Sequence, residues 1–380
     1  MKFHPRWAGA ALFVAALTCV STAPAWAVDY TITDLGTLGG TGSFANSINN
    51  SGQVVGYADT ARDAAQHAFL YSNGTMSDLG ILGGGFSSNA SGINDNGQVV
   101  GESQNTFTTF HAFLYSNGAM TDLGTLPSDM ISWAQGINNN GQVAGWSSSA
   151  GGVSHAFLYS NGVMSDLGTL GGTQSLAYGI NNNGQVVGRA DTAGNATSHA
   201  FLYSNGVMND LGTLDGTQST AYGINNNGQV VGYATIKGDG AVHAFLYSNG
   251  VMNDLSTLGG GLSLAYGINN NGQVVGYSNT ADGSIHAFLY SGGSLLDLNN
   301  LLSAGSGWTL QDAYGINNLG QIVGDGIING QDHAFLMTPT IVPVPTAVWL
   351  LGSGLLGLIA VARRNSFRIS FSEFQHLHQQ

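Results

Sequence analysis

Apolar residues in this chain come in runs of four to six, rich in Val, Ile, Phe, Tyr and Leu, and most runs are closed by Asn-Gly or Ser-Asn-Gly. Runs this short, bounded by turn residues, predict β-strands joined by hairpins. No long segment carries the Leu, Glu, Lys and Arg mixture at 3.6-residue spacing that marks a surface helix. The stretch HAFLYSNG at His155 to Gly162 shows the arrangement. The same eight letters begin at His67, His111, His199 and His243, with HAFLYSGG at His286 and HAFLMTPT at His333.

These seven histidines are spaced 44, 44, 44, 44, 43 and 47 residues apart. Two further landmarks keep the period. One is the GINNNGQVVG word, centred on Ile48, Ile93, Ile137, Ile180, Ile224, Ile268 and Ile316. The other is Asp-Leu at Asp34, Asp78, Asp122, Asp166, Asp210, Asp254 and Asp297. One copy, Ser175 to Leu214, parses into the strands LAYGIN, QVVGRA, HAFLYS and VMNDLGTL, with NNNGQ and SNG supplying the Asn and Gly that tight hairpins need. Four strands in about 44 residues is the size of a propeller blade. The repeats start with a last-type strand, YTITDLGTL, and finish with a third-type strand, HAFLMT, so the two fragments together complete a blade. The expected fold is therefore all-β. It is a seven-bladed β-propeller over residues 28–340, closed by its N-terminal strand so that no sheet edge stays open. A β-solenoid also accepts a fixed period, but gives no reason for the complementary ends.

Charge narrows the partners. Residues 28–345 hold only Arg62, Arg189 and Lys237 against 20 acidic residues, which excludes nucleic acid, whose phosphates need clustered Lys and Arg. The remaining basic residues sit at the ends. Residues 1–27 read as a secretory signal peptide, with Lys2 and Arg6 before an apolar run and APAWA before Val28. Its removal takes away Cys19, the sole cysteine, so thiol chemistry drops out. Thr346 to Ala362 are 17 uncharged residues followed by Arg363 and Arg364, which predicts a C-terminal transmembrane helix within residues 341–364 and a cytoplasmic tail of residues 365–380.

Two resemblances add to this reading. Pro343 and Pro345, the span with GSGLLGL, and Arg363 with Arg364 resemble the PEP-CTERM sorting signal, although Val344 stands where the usual Glu would be and the chain runs on past the basic pair. The resemblance implies recognition by an exosortase in the inner membrane, then delivery to the cell surface or extracellular matrix. HAFLYSNG, GINNNGQVVG and DLGTLGG look like the HAF repeats of predicted extracellular bacterial proteins, which implies secretion and no particular activity.

The repeated His and Asp invite a metal or acid-base role, but one of each per blade suits a structural pairing inside the blade, similar to that of WD-repeat propellers. INDNGQ at Ile93 to Gln98 faintly resembles a calcium loop, yet six of the seven copies lack a carboxylate there. No cofactor is implied. An enzyme would have to collect carboxylates from variable loops, such as Asp129 or Asp239, and Glu102 is the only glutamate between residues 28 and 345. The loops between second and third strands and between blades break the repeat, and in a propeller they share one face. That face is expected to gather Arg62, Phe107, Phe110, Trp133, Trp146, Arg189, Lys237 and Trp308. Aromatics with sparse cations suit stacking on sugar rings or contact with an acidic polymer, so the expected role is structural or adhesive, with exopolysaccharide or another surface glycan as partner. A glycan-active enzyme and a passive glycosylated coat protein are the alternatives.

Overall fold

The computed structural model describes residues 28–105 and 109–341. The expected signal peptide, the expected sorting signal with Pro343, Pro345, Arg363 and Arg364, the expected C-terminal helix and Phe107 lie outside the described residues. The repeats form one compact unit, Asp29–Thr340.

Among the described residues there are five four-stranded sheets and one eight-stranded sheet. The eight-stranded one is two four-stranded sets joined by a single parallel bridge, Val242 to Leu262. Each set is an antiparallel meander. In one of the four-stranded sheets the strands are Gly171–Ile180, Val186–Thr192, Ser198–Ser204 and Val207–Asp210. The last two are joined through Asn205 and Gly206, with φ of 54° and 82°. Two successive positive φ values define the type I′ turn whose twist matches the flanking strands, which is why the word is Ser-Asn-Gly.

The fourth strand ends four residues before its predicted limit of Leu214. The Asp210 Oδ1 accepts from Gly212 N at 2.7 Å, and Gly212 takes a φ of 73°. That side-chain turn swings Leu211 inward, where it is buried. The first strand begins earlier than predicted, at Gly171, which reaches back to Thr192 after a break in the ladder.

Successive sheets bury their faces against each other. Val187, Ala200 and Leu211 of one sheet pack with Ala221, Val230, Ala234 and Phe245 of the next. The same cluster recurs at every junction, and the last-to-first junction is made by Leu35, Val323 and Ala334 with Ala45, Val54 and Phe69. Second strands are therefore buried on both faces, and the phenylalanine of each HAF word is wholly buried. Each such ring contributes about 1.5–3 kcal/mol of burial. The glycine of QVVG is required by this packing, since a Cβ on Gly188 would sit 1.9 Å from Leu176 O.

Closure uses both ends of the repeats. Val28–Asp34 lies beside Gln331–Ile341 as the fourth strand of the last sheet, and Leu35 N donates to Ala334 O at 3.0 Å. Inside, Asn49 Nδ2 donates to Asn94 O, Asn94 to Asn138 O, and so on through Asn181, Asn225, Asn269 and Asn317, whose Nδ2 returns to Asn49 O. This circuit of amides closes on itself around a central channel, the arrangement of a β-propeller.

Candidate functional site

The repeated histidines and aspartates are paired in every sheet. Nδ1 lies 2.6–2.9 Å from the aspartate in His67–Asp78, His111–Asp122, His155–Asp166, His199–Asp210, His243–Asp254, His286–Asp297 and His333–Asp34. The same aspartates also accept from the backbone N–H two residues on, as Asp166 does from Gly168. Each pair thus ties the third strand to the turn ending the fourth. Most of these aspartates are well exposed, unlike a buried propeller dyad, with Asp166 at 43% of its side chain and Asp297 the least exposed at 15%. The pairs stand one per four-stranded set and are not brought together.

The channel is divided by the seven isoleucines of the GIN words, which border a cavity of about 250 Å³ on one side and about 190 Å³ on the other. The larger cavity is lined by asparagines and is uniform around the ring. Asp95, the one carboxylate in it, is fully engaged. Burial pushes its carboxyl up, but hydrogen bonds from Asn139 and from Asn50 offset that and leave it below its usual value. Its loop is part of the ring and not a separate cation loop.

The opposite cavity is individual, because of a bulge. In every sheet the register between first and second strands slips by one residue, as between Ala177 and Gly179. The bulged residues are Asn46, Ser91, Gln135, Tyr178, Tyr222, Tyr266 and Tyr314, and Asn46, Ser91, Gln135 and Tyr314 line the cavity. A bulge re-aims its side chain, a common device at functional sites. The four tyrosines form a continuous arc, with ring centroids 5.0, 5.0 and 4.9 Å apart. Burial, and then the nearby tyrosines, Tyr233 foremost for Tyr222 and Tyr314 for Tyr266, pushes the hydroxyls of Tyr222 and Tyr266 far above the usual range, so they remain neutral donors.

Outside this ring lies a second one, made by the residue after each VVG word, or its VAG and IVG variants: Tyr57, Glu102, Trp146, Arg189, Tyr233, Tyr277 and Asp325. Each faces a cross-strand partner on the first strand: Phe44, Asn89, Trp133, Leu176, Thr220, Leu264 and Asp312. Phe44 stacks on Tyr57 at 4.9 Å, Trp133 on Trp146 at 4.0 Å, and Phe110 extends that stack at 6.3 Å. Glu102 accepts from Asn89 Nδ2 at 3.0 Å and from Ser91 Oγ at 3.4 Å, beside a cavity of about 310 Å³ that Tyr57 and Phe110 also line. Burial pushes its carboxyl up to about 7, against the pull of those two hydrogen bonds. The guanidinium of Arg189 lies beside Tyr178, with its Nε buried and unbonded.

Of the residues expected on this face, Phe110, Trp133 and Trp146 are brought together. Trp133, Trp146 and Arg189 lie within strands and not in variable loops, because the positions at which the copies differ include the cross-strand pair beside the bulge. Arg62, in the short 3-10 helix Ala61–Asp63, and Lys237, in a turn, are both exposed. Trp308 opens the last sheet's first strand and packs edge-on against Phe335 at 6.2 Å, as core. Sequence reasoning missed the tyrosine arc and the facing pair Asp312 and Asp325. Their signal was present, since the letters on either side of the alanine before each Ile-Asn, and the letter after the glycine of each VVG-like word, vary in register from copy to copy.

Residues 209–335 match the family described as "Protein of unknown function (DUF3466)". No curated protein matches the chain. The structure is similar to a puromycin-hydrolyzing peptidase of Mycobacterium tuberculosis, with a TM-score of 0.51 and 12% identity over 75% of this chain and 48% of that one. It is similar also to the beta-propeller domain of the Trilobed protease of Pyrococcus furiosus, at 0.49 and 10% over 68% and 83%, and to TolB of Acinetobacter baumannii, at 0.46 and 12% over 76% and 64%. The chain thus spans about half the length of the peptidase and just under two thirds of that TolB. The likeness to the peptidase is one of fold alone.

Proposed function

We propose that this chain is an exported, seven-bladed β-propeller of the cell surface or extracellular matrix, with a structural or adhesive role, and that its individual face binds glycan. In this reading residues 1–27 are removed on export, the C-terminal span holds the protein in the inner membrane, and an exosortase acts on the PEP-CTERM-like tail. The HAF-like repeats agree with that destination. The closed amide circuit of Asn49 through Asn317, with one step per repeat, supports seven blades.

The observation that carries glycan binding is the stack of Phe110, Trp133 and Trp146 on the individual face, each ring partly exposed. Flat aromatic surface beside amide and carboxylate acceptors is what a sugar ring needs: apolar contact for its C–H face and acceptors for its hydroxyls. A glycan array read with the full chain should show binding, and Trp146→Ala should abolish it with an unchanged melt. Binding to no glycan would leave a passive coat protein. Asp312 facing Asp325 favours a second reading, a glycan-active enzyme, which release of new reducing ends by the same preparation would support.

A further inference from the structure

Asp312 and Asp325 are direct cross-strand partners in the last sheet, so their side chains leave the sheet on the same face. Asp325 is only 6% exposed, and its Oδ1 has no hydrogen-bond partner. Asp312 is half-buried, which leaves a way in from solvent. The groups close enough to act on the pair electrostatically are Tyr57 from the adjoining sheet, Tyr266 and Tyr277 from the sheet before, Tyr314 from the bulge and the carboxylate of Asp332. Among the described residues no basic side chain offsets either carboxylate. A buried acid without a counter-charge is costly to maintain, and an unbonded carboxylate oxygen there marks a missing donor.

We propose that Asp312, Asp325 and the tyrosines Tyr57, Tyr277 and Tyr314 form a receptor for an organic ammonium group, and that the group is the free amine of a de-N-acetylated amino sugar. Carboxylates supply acceptors and charge to an ammonium, and tyrosine rings attract a cation through their faces. Tyr314 also lines the channel cavity of about 190 Å³, so a bound sugar would sit at the channel mouth. The identity of the sugar rests on the glycan-binding reading; the ammonium site does not. The charge of the body points the same way, since 20 acidic residues against three basic ones between residues 28 and 345 repel an acidic polymer and attract a cationic one. A bare metal ion is the poorer fit, because among the described residues no group of three or more ligating side chains is placed to hold one.

The test is calorimetric titration of the full chain, at about pH 6.5, with a glucosamine hexasaccharide and with its fully N-acetylated counterpart. The free amine should bind about tenfold more tightly. Asp312→Asn and Asp325→Asn should each bring that preference to within about twofold while leaving affinity for the acetylated sugar unchanged, with a melt no lower than that of the native chain. Equal affinity for the two sugars, or an intact preference in both variants, overturns the proposal while leaving glycan binding in place. If neither sugar binds, tetramethylammonium decides. Its binding to the native chain but not to Asp312→Asn keeps the ammonium site and removes the glycan, and its failure to bind overturns the site as well.

Discussion

Replacing Asp325 by Asn should stabilise the fold, and should do so only as pH rises. Burial, reinforced by the negative charges of Asp312 and Asp332, pushes the Asp325 carboxyl from 3.8 up to about 8. A carboxyl that holds its proton more tightly when folded favours the fold while both states are protonated, below about pH 4. Between that point and about 8 the unfolded chain has released a proton that the fold still binds, so the native protein loses stability steadily; above about 8 the loss is complete. At 1.4 kcal/mol per pH unit, some four units set a ceiling of ~6 kcal/mol. Asp312, pushed by burial up to about 6, titrates with its partner and shares the proton, and water at its exposed edge screens the pair. A realised difference of ~3 kcal/mol is expected. Asn has the same shape, carries no charge and brings a donor toward Asp312. The assay is urea unfolding of both chains from about pH 4 to 8.5, with free energies from linear extrapolation. The two should coincide at the acid end and diverge in favour of the variant toward the alkaline end. A gap that ignores pH, or a variant less stable at about pH 8, would refute the account of the pair as buried and uncompensated.

Asn181→Ala should cost ~3 kcal/mol in the same assay, because Asn181 is 3% exposed and donates to Gln185 Oε1 and Asn225 O while accepting from the N–H groups of Asn183 and Gln185. An effect under ~1 kcal/mol would mean that the amide circuit is decoration. Gly188→Ala should cost ~3 kcal/mol or prevent folding, since its methyl would meet Leu176 O at 1.9 Å, Ala177 Cα at 2.8 Å and Phe201 at 2.8 Å; a native-like melt by circular dichroism would contradict that packing. His155→Ala should lower the melting temperature by only about 2 °C, because the Asp166 it leaves is 43% exposed and keeps its bond from Gly168, and metal content should not change.

Much of the scaffold was legible in the sequence because its words are local. The Asn205-Gly206 turn is written in adjacent letters, and in six of the seven pairs the histidine and aspartate are only 11 residues apart across one hairpin. The channel mouth was not legible in the same way. The tyrosine arc depends on a one-residue bulge before Gly179 and its equivalents, and a slip in register leaves no mark in hydrophobic alternation. Asp312 and Asp325 lie 13 positions apart in two different words, and only the pairing of first and second strands makes them neighbours. The expectation that recognition sits in loops missed this, since loops differ visibly in length while a substituted strand position keeps the period.

The pairing of Val28–Asp34 with Gln331–Ile341 has a kinetic consequence. Asp34 meets His333 across 299 residues, and Thr340 Oγ1 donates to Asp29 O across 311. Every other sheet is a meander whose strands find each other within a few dozen residues, so those sheets are complete early and cheaply. The last sheet has to wait, holding an unpaired edge on Gln331–Ile341 until the most distant segment arrives. The ring therefore has a seam, and opening is expected to begin there: hydrogen exchange in Val28–Asp34 should precede exchange in Val186–Thr192.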